Sequence, residues 1–162
     1  MPGTLKTRRL PEEQAKLQRA LTGLFERHVS FNQVLGLKVD FHDSGAARLR
    51  FEMRPELKGH ALSGRLHGGV TASVLDTVGG FGIIWALCEK HCDETTAQIM
   101  HRFTKVGTID LRIDFLQQGI GQWFVASAKV LRLGGRIASV QMALENDEGT
   151  LIAAGSGSYI IS

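Results

Sequence analysis

Apolar side chains recur along this chain with two periods, one helical and one of alternation. Leu17, Leu21, Leu24 and Phe25 repeat at helical spacing, predicting a helix from Pro11 to about Val29. Its first turn holds Pro11, which loses no hydrogen bond there, and Glu12 and Glu13, which face the positive end of the helix dipole. Ser30-Phe31-Asn32-Gln33 reads as a turn or a short second helix ending near Gly36. The period then shortens to two. Leu37, Val39 and Phe41 alternate with Lys38, Asp40 and His42, and Ala47, Leu49, Phe51 and Met53 alternate with Arg48, Arg50, Glu52 and Arg54. Asp43-Ser44-Gly45 between them is turn chemistry, so the two stretches predict a hairpin.

Residues 54–66 carry no period and are expected to form a loop. His67-Gly68-Gly69 opens the most apolar helix of the chain, running to about Leu87. Strands follow at about 107–117, 122–133, 136–146 and 150–161. Turn residues separate them: Gln117-Gln118-Gly119, Gly134-Gly135 and Asn146-Asp147-Glu148-Gly149. Strands segregated from one buried helix indicate an α+β fold, an antiparallel β-sheet wrapped around one long central helix, with an additional N-terminal helix. Residues 1–10 are basic and aperiodic, a flexible tail, and residues 11–162 make a single domain.

Val70, Val74, Val78, Phe81 and Trp85 form one stripe of the central helix, and its other faces are largely apolar too, so it is expected to be buried. Within it stands Asp76, with no other acidic or basic residue between Gly69 and Glu89. A lone carboxylate in apolar surroundings is costly unless it is hydrogen-bonded, paired or functional. Its neighbours three and four positions away are Ala72, Ser73, Gly79 and Gly80, all small, so a second helix or a ligand approaches closely there. At the helix start, Gly68 and Gly69 leave the unpaired N–H groups of the first turn accessible, donors suited to a developing oxyanion. Gly68 and Asp76 are about 12 Å apart along one helix axis, at ~1.5 Å per residue. One helix cannot present both to the same carbonyl, whereas two antiparallel copies about a two-fold axis could. A dimer contact, with the carboxylate capping a partner helix, would fit the same residues without any catalysis.

Composition narrows the classes. Of 162 residues 43% are hydrophobic and 22% charged, the profile of a globular protein, and the net charge is a mild +3. No basic cluster marks nucleic-acid binding, and no N-terminal apolar stretch marks a signal peptide or membrane span, so a cytoplasmic location is expected, away from membranes. The two cysteines, Cys88 and Cys92, are then free thiols. With His91 and His101 they match no common zinc spacing, and no metal is expected.

The run Leu66-His67-Gly68-Gly69-Val70-Thr71-Ala72-Ser73-Val74-Leu75-Asp76 resembles the HGG-x6-D signature of the PaaI-like branch of hotdog-fold thioesterases. Val106 to Leu116 looks like the strand that follows in that branch. That strand and Phe31-Asn32-x-x-Leu35-Gly36 are similar to the YigI-type subgroup of acyl-CoA thioesterases, and the resemblance covers about residues 20–162. It implies that Asp76 is the nucleophile or the base that activates water, acting across a dimer, and that the Gly68 N–H polarises the thioester carbonyl. Thr108 falls where relatives carry a water-positioning Ser or Thr. The asparagine frequent six or seven residues before the HGG histidine is missing; His60 and Ala61 stand there, and His60 is a candidate for its role. His67, Gly69 and Ser73 would line the substrate, His67 chiefly by orienting the helix start.

Lys129, Arg132, Gly134, Gly135 and Arg136 cluster at a strand turn. Guanidinium groups and exposed N–H groups there suit the phosphates of coenzyme A, as the resemblance implies, and suit a solvated hairpin equally well. The stretch Glu89 to Lys105 is longer than in the family's shorter members and could cover an acyl tunnel or be a surface excursion. The reading is therefore hydrolysis of medium- to long-chain or aromatic acyl-CoA, with no cofactor, by a homodimer that could pair further into a tetramer. A non-catalytic acyl-CoA-binding sensor is the alternative. A hotdog dehydratase is disfavoured, because that group's His-x-x-x-Pro-Gly loop is missing.

Overall fold

A computed structural model describes residues 8–41 and 47–162. Its elements are helix α1 (Pro11–Gly23), a widened π turn (Leu24–His28), helix α2 (Ser30–Leu35), strands β1 (Lys38–Phe41) and β2 (Ala47–Glu52), helices α3 (Gly68–Lys90) and α4 (Thr96–Phe103), and strands β3 (Gly107–Phe115), β4 (Trp123–Leu133), β5 (Ile137–Asn146) and β6 (Leu151–Ile160). The six strands form one antiparallel sheet in the order β1-β2-β4-β5-β6-β3. This is the α+β hotdog architecture, with α3 as the central helix. The hairpin turn expected at Asp43-Ser44-Gly45 and most of the expected tail, residues 1–7, lie outside the described residues.

Alternation sets the two faces of the sheet. In β5, Ala138, Val140, Met142 and Leu144 are buried, and in β2, Ala47, Leu49 and Phe51 are. Against that inner face lies α3, whose Val74, Leu75, Val78, Phe81, Ile83 and Ile84 are fully buried. Each such side chain contributes roughly 1.5–3 kcal/mol by leaving water. The helix is long and apolar enough to cross a bilayer, but here it is the core of the domain. Two of its glycines have packing reasons. A Cβ on Gly79 would run into the Tyr159 hydroxyl and sit 2.8 Å from Met142 Sδ, and one on Gly82 would sit 2.8 Å from Ala128 Cβ. Gly80 has no such neighbour: a Cβ there meets nothing within 4 Å. Its cost to the helix, about 1 kcal/mol relative to alanine, has no packing explanation.

Three local features depart from the periodic reading. First, α1 does not continue evenly to Val29. It widens at Leu24, where the Val29 N–H reaches back five residues to Leu24 O (3.0 Å) and Asn32 Nδ2 donates to Phe25 O (3.0 Å). The widened turn swings Phe25 inward against Phe81 (ring centroids 4.7 Å apart) and Phe103 (5.6 Å). Second, residues 54–66 are tied down rather than a free loop. Pro55–Leu57 form a 3-10 turn, Lys58 bridges Leu66, and the His67 N–H donates to Leu57 O (2.9 Å). Third, the stretch after α3 folds into α4. Thr95 and Gln98 make its capping box, and the Thr96 N–H donates to Glu13 Oε1 (2.8 Å), fastening α4 to α1. At the end of the expected tail, Arg9 holds the C-terminal end of α3, its guanidinium donating to His91 O (3.0 Å) and Glu94 O (2.8 Å).

Candidate active site

His67 is the N-cap of α3, and its Nδ1 accepts the Gly69 N–H at 2.9 Å. His67 O takes the N–H groups of Val70 (3.0 Å) and Thr71 (3.2 Å). The imidazole thus orients the helix start, and Gly69's donor is already committed. Gly68, exposed at the first helical position, is left as the outward-facing candidate; its N–H has no recorded partner among the described residues. Ser73 Oγ donates to Gly69 O (2.7 Å), one helical turn back. His60 sits in an exposed turn, where its Nδ1 accepts the Ser63 N–H at 3.3 Å.

Asp76 is half-buried, at the rim of the core. Thr108 Oγ1 donates to its Oδ1 at 2.7 Å. The Tyr159 hydroxyl lies 3.1 Å from the same oxygen and 3.0 Å from Asp76 O. Thr108 and Tyr159 are directly opposed in the β3–β6 ladder, so their side chains share one face, and a register shift just after Thr108 marks a bulge there. Tyr159 is buried, and that burial, reinforced by the adjacent Asp76 charge, pushes its hydroxyl far above the ordinary phenol range. It remains an O–H donor to the carboxylate. The Tyr159 hydroxyl shares its one proton between Oδ1 and Asp76 O, and Oδ2 has no hydrogen-bond partner among the described residues.

Asp76 opens into a cavity of about 170 Å³ lined mainly by apolar groups. Phe25, Val29 and Asn32 come from the N-terminal helical segment, Thr77 and Gly80 from α3, and Phe103, Val106, Gly107, Thr108 and Tyr159 complete the lining. The site thus unites two residues foreseen from the sequence, Asp76 and Thr108, with several that were not. Tyr159 is the clearest omission. It is the chain's one tyrosine, in an otherwise small and aliphatic strand, and that oddity was the available signal. His60, His67, Gly68, Gly69 and Ser73 do not line this cavity.

Within one chain the helix start and the carboxylate lie far apart. A Cβ on Gly68 would sit 3.4 Å from the Phe115 ring, at the far end of β3 from Thr108. Thr108 and Phe115 are seven positions apart along the strand, about 23 Å at ~3.3 Å each. At the Thr108 end, Thr108, Tyr159, Ala138 and Leu133 form one row across β3, β6, β5 and β4. The turn of Gly134, Gly135 and Arg136 projects just beyond that row, and with Arg132 it lines a surface cleft of about 380 Å³. Burial pushes the Cys88 thiol up to about 12. Among the described residues, no three His, Cys, Asp or Glu side chains are grouped as a metal site would need.

A hotdog sheet around an apolar helix, with an HGG start and an aspartate eight positions after its first glycine, fits a thioester hydrolase, and the sequence comparisons show that class. The Thioesterase superfamily profile matches residues 63–153, and the chain belongs to that superfamily. It is 33% identical over 138 residues to the medium/long-chain acyl-CoA thioesterase YigI of Escherichia coli (strain K12), covering 85% of this chain and 89% of that protein. A crystal structure of a Shewanella oneidensis protein related to the thioesterase superfamily is 38% identical, with a TM-score of 0.86 over 95% of this chain and 100% of the other. A Bacillus halodurans protein crystallised with CoA is 19% identical, with a TM-score of 0.65 over 94% of this chain and 95% of that one, a likeness of fold.

Proposed function

We propose that this chain hydrolyses medium- to long-chain or aromatic acyl-CoA to the free acid and coenzyme A, in a site completed by a second copy of itself. The observation that carries this reading is the Asp76 carboxylate, held through Oδ1 by Thr108 and Tyr159 at the mouth of an apolar cavity. Asp76 attacks the thioester carbonyl or takes a proton from the water that does. The carbonyl oxygen gains negative charge and is met by the Gly68 N–H of the second copy, where the helix dipole adds to the hydrogen bond. The tetrahedral intermediate collapses, the C–S bond breaks, and the coenzyme A sulfur leaves and takes up a proton. In the water route the products form directly; in the nucleophilic route a mixed anhydride with Asp76 is then hydrolysed. Isotope-labelled water in a single turnover identifies the nucleophilic route when label appears in Asp76, which happens if water attacks the aspartyl carbonyl of the anhydride.

Edge strand β3 supports a position for the second copy. This strand ends the sheet, with nine residues whose outer backbone groups have no strand partner among the described residues, and it exposes Ile109 and Phe115. Such an edge favours pairing with another strand. Antiparallel pairing of two β3 strands sets the Thr108 end of each against the Phe115 end of the other, bringing each Asp76 towards the opposite Gly68. Two such dimers would form the tetramer. The Arg132–Arg136 turn, at the Thr108 end of the sheet, would receive the phosphates of coenzyme A.

Thiol release from acyl-CoAs of C2 to C16, with phenylacetyl- and benzoyl-CoA, tests the reading. The wild type is expected to turn over the medium and long chains, and Asp76→Ala to lose at least about a hundredfold (roughly 2.7 kcal/mol of barrier) with its dimer intact. Saturable binding without turnover of any substrate would contradict hydrolysis and make the protein an acyl-CoA sensor.

A further inference from the structure

We propose that Gly80 sets the acyl-chain length this enzyme accepts, by forming the floor of a chamber whose outer wall is the N-terminal helical segment together with α4. The proposal rests on the acyl-CoA reading above and adds which residue measures the tail. Of the three interior glycines of α3, Gly79 and Gly82 are required by Tyr159, Met142 and Ala128, whereas Gly80 touches nothing that would exclude a side chain. A helix-weakening residue without a packing reason in its own chain points to something else that approaches there, and the acyl tail is the occupant proposed. The space it would fill is identifiable. Gly80 lies one helical turn beyond Asp76, on the same face, and both line the cavity of about 170 Å³. The cavity is open on one side and mainly apolar on the others, which suits a hydrocarbon entering from the surface. A tail whose thioester carbonyl meets Asp76 would therefore extend past Gly80.

The opposite wall comes from elements outside the sheet and central helix. Phe25 and Val29 are brought in by the widened turn after α1, and Phe103 and Val106 by α4 and its exit. Phe25 is braced against Phe81 and Phe103, so this wall is fixed and the Gly80 side is where added atoms can go. A leucine at position 80 would occupy the chamber and shorten it by about four carbons, the size of its side chain.

The experiment measures binding of non-hydrolysable alkyl-CoA thioethers with C4 to C16 tails to the wild type, Gly80→Ala and Gly80→Leu. Sedimentation checks the assembly of each variant. For Gly80→Leu the ratio of long-tail to short-tail affinity is expected to fall at least tenfold, with the preferred length shorter by about four carbons; Gly80→Ala is expected to fall between. Equal weakening of all tails, an unchanged length profile, or loss of the dimer with discrimination retained would overturn the proposal. Because thioethers report binding alone, length-selective binding by a wild type that hydrolyses nothing would defeat the thioesterase reading and leave this one standing.

Discussion

At the scale of single residues, two hydroxyls hold the Asp76 carboxylate from the strand side. Removing either leaves Oδ1 short of a donor at a charged oxygen, where one hydrogen bond contributes roughly 1.5–3 kcal/mol. Tyr159→Phe and Thr108→Val are therefore each expected to lower kcat by about 10- to 100-fold with little change in KM, checked by steady-state thiol release. The pH dependence adds a signed expectation. A phenol is neutral when protonated, so a raised pKa keeps Tyr159 a donor as pH passes through its ordinary value of 10.0. Turnover is expected to show no alkaline fall from this group up to that pH, and Tyr159→Phe to leave the shape of the profile unchanged; an alkaline limb that vanishes in Tyr159→Phe would contradict it. Asp76 was legible in the sequence because a lone carboxylate in an apolar helix demands an explanation. Its tyrosine partner was not, because 83 positions separate the two residues and no local pattern spans them.

At the scale of elements, alternation and helical spacing carried most of the fold. The strands after α3 stand within a few residues of their expected places, because turn residues at 117–119, 134–135 and 146–149 interrupt clear alternation. The widened turn at Leu24–His28 was hidden, since the helix ends with it and no later turn exists in which a shifted apolar pattern would show. Likewise α4 was not read from its sequence, although Thr95 and Gln98 form a capping signature; its apolar face is short and its neighbours are charged. The glycines of α3 yield a paired expectation. Gly79→Ala forces a methyl against Tyr159 and Met142 and is expected to destabilise by about 1–3 kcal/mol. Gly80→Ala, with open space around its Cβ, is expected to stabilise the fold by up to about 1 kcal/mol. Chemical denaturation of the two variants beside the wild type checks both signs, and a destabilised Gly80→Ala would mean that the position packs against something after all.

At the scale of the whole molecule, the central claim is that each site takes Asp76 from one copy and the Gly68 N–H from another. The sequence already held this argument in the spacing of two residues on one helix, and the structure adds that they sit at opposite ends of edge strand β3. Subunit mixing tests it. Gly68→Pro removes the proposed donor at the first helical position, where proline is well tolerated, and the extended backbone of His67 suits a following proline. Asp76→Ala and Gly68→Pro are each expected to be nearly inactive as homodimers. When the two are unfolded and refolded together in equal amounts, about half the dimers are mixed, and each mixed dimer holds one intact site and one doubly defective one. About a quarter of wild-type activity is then expected to return. If each chain carried a complete site, every site in the mixture would remain defective, and activity no higher than that of the separate variants would contradict the account.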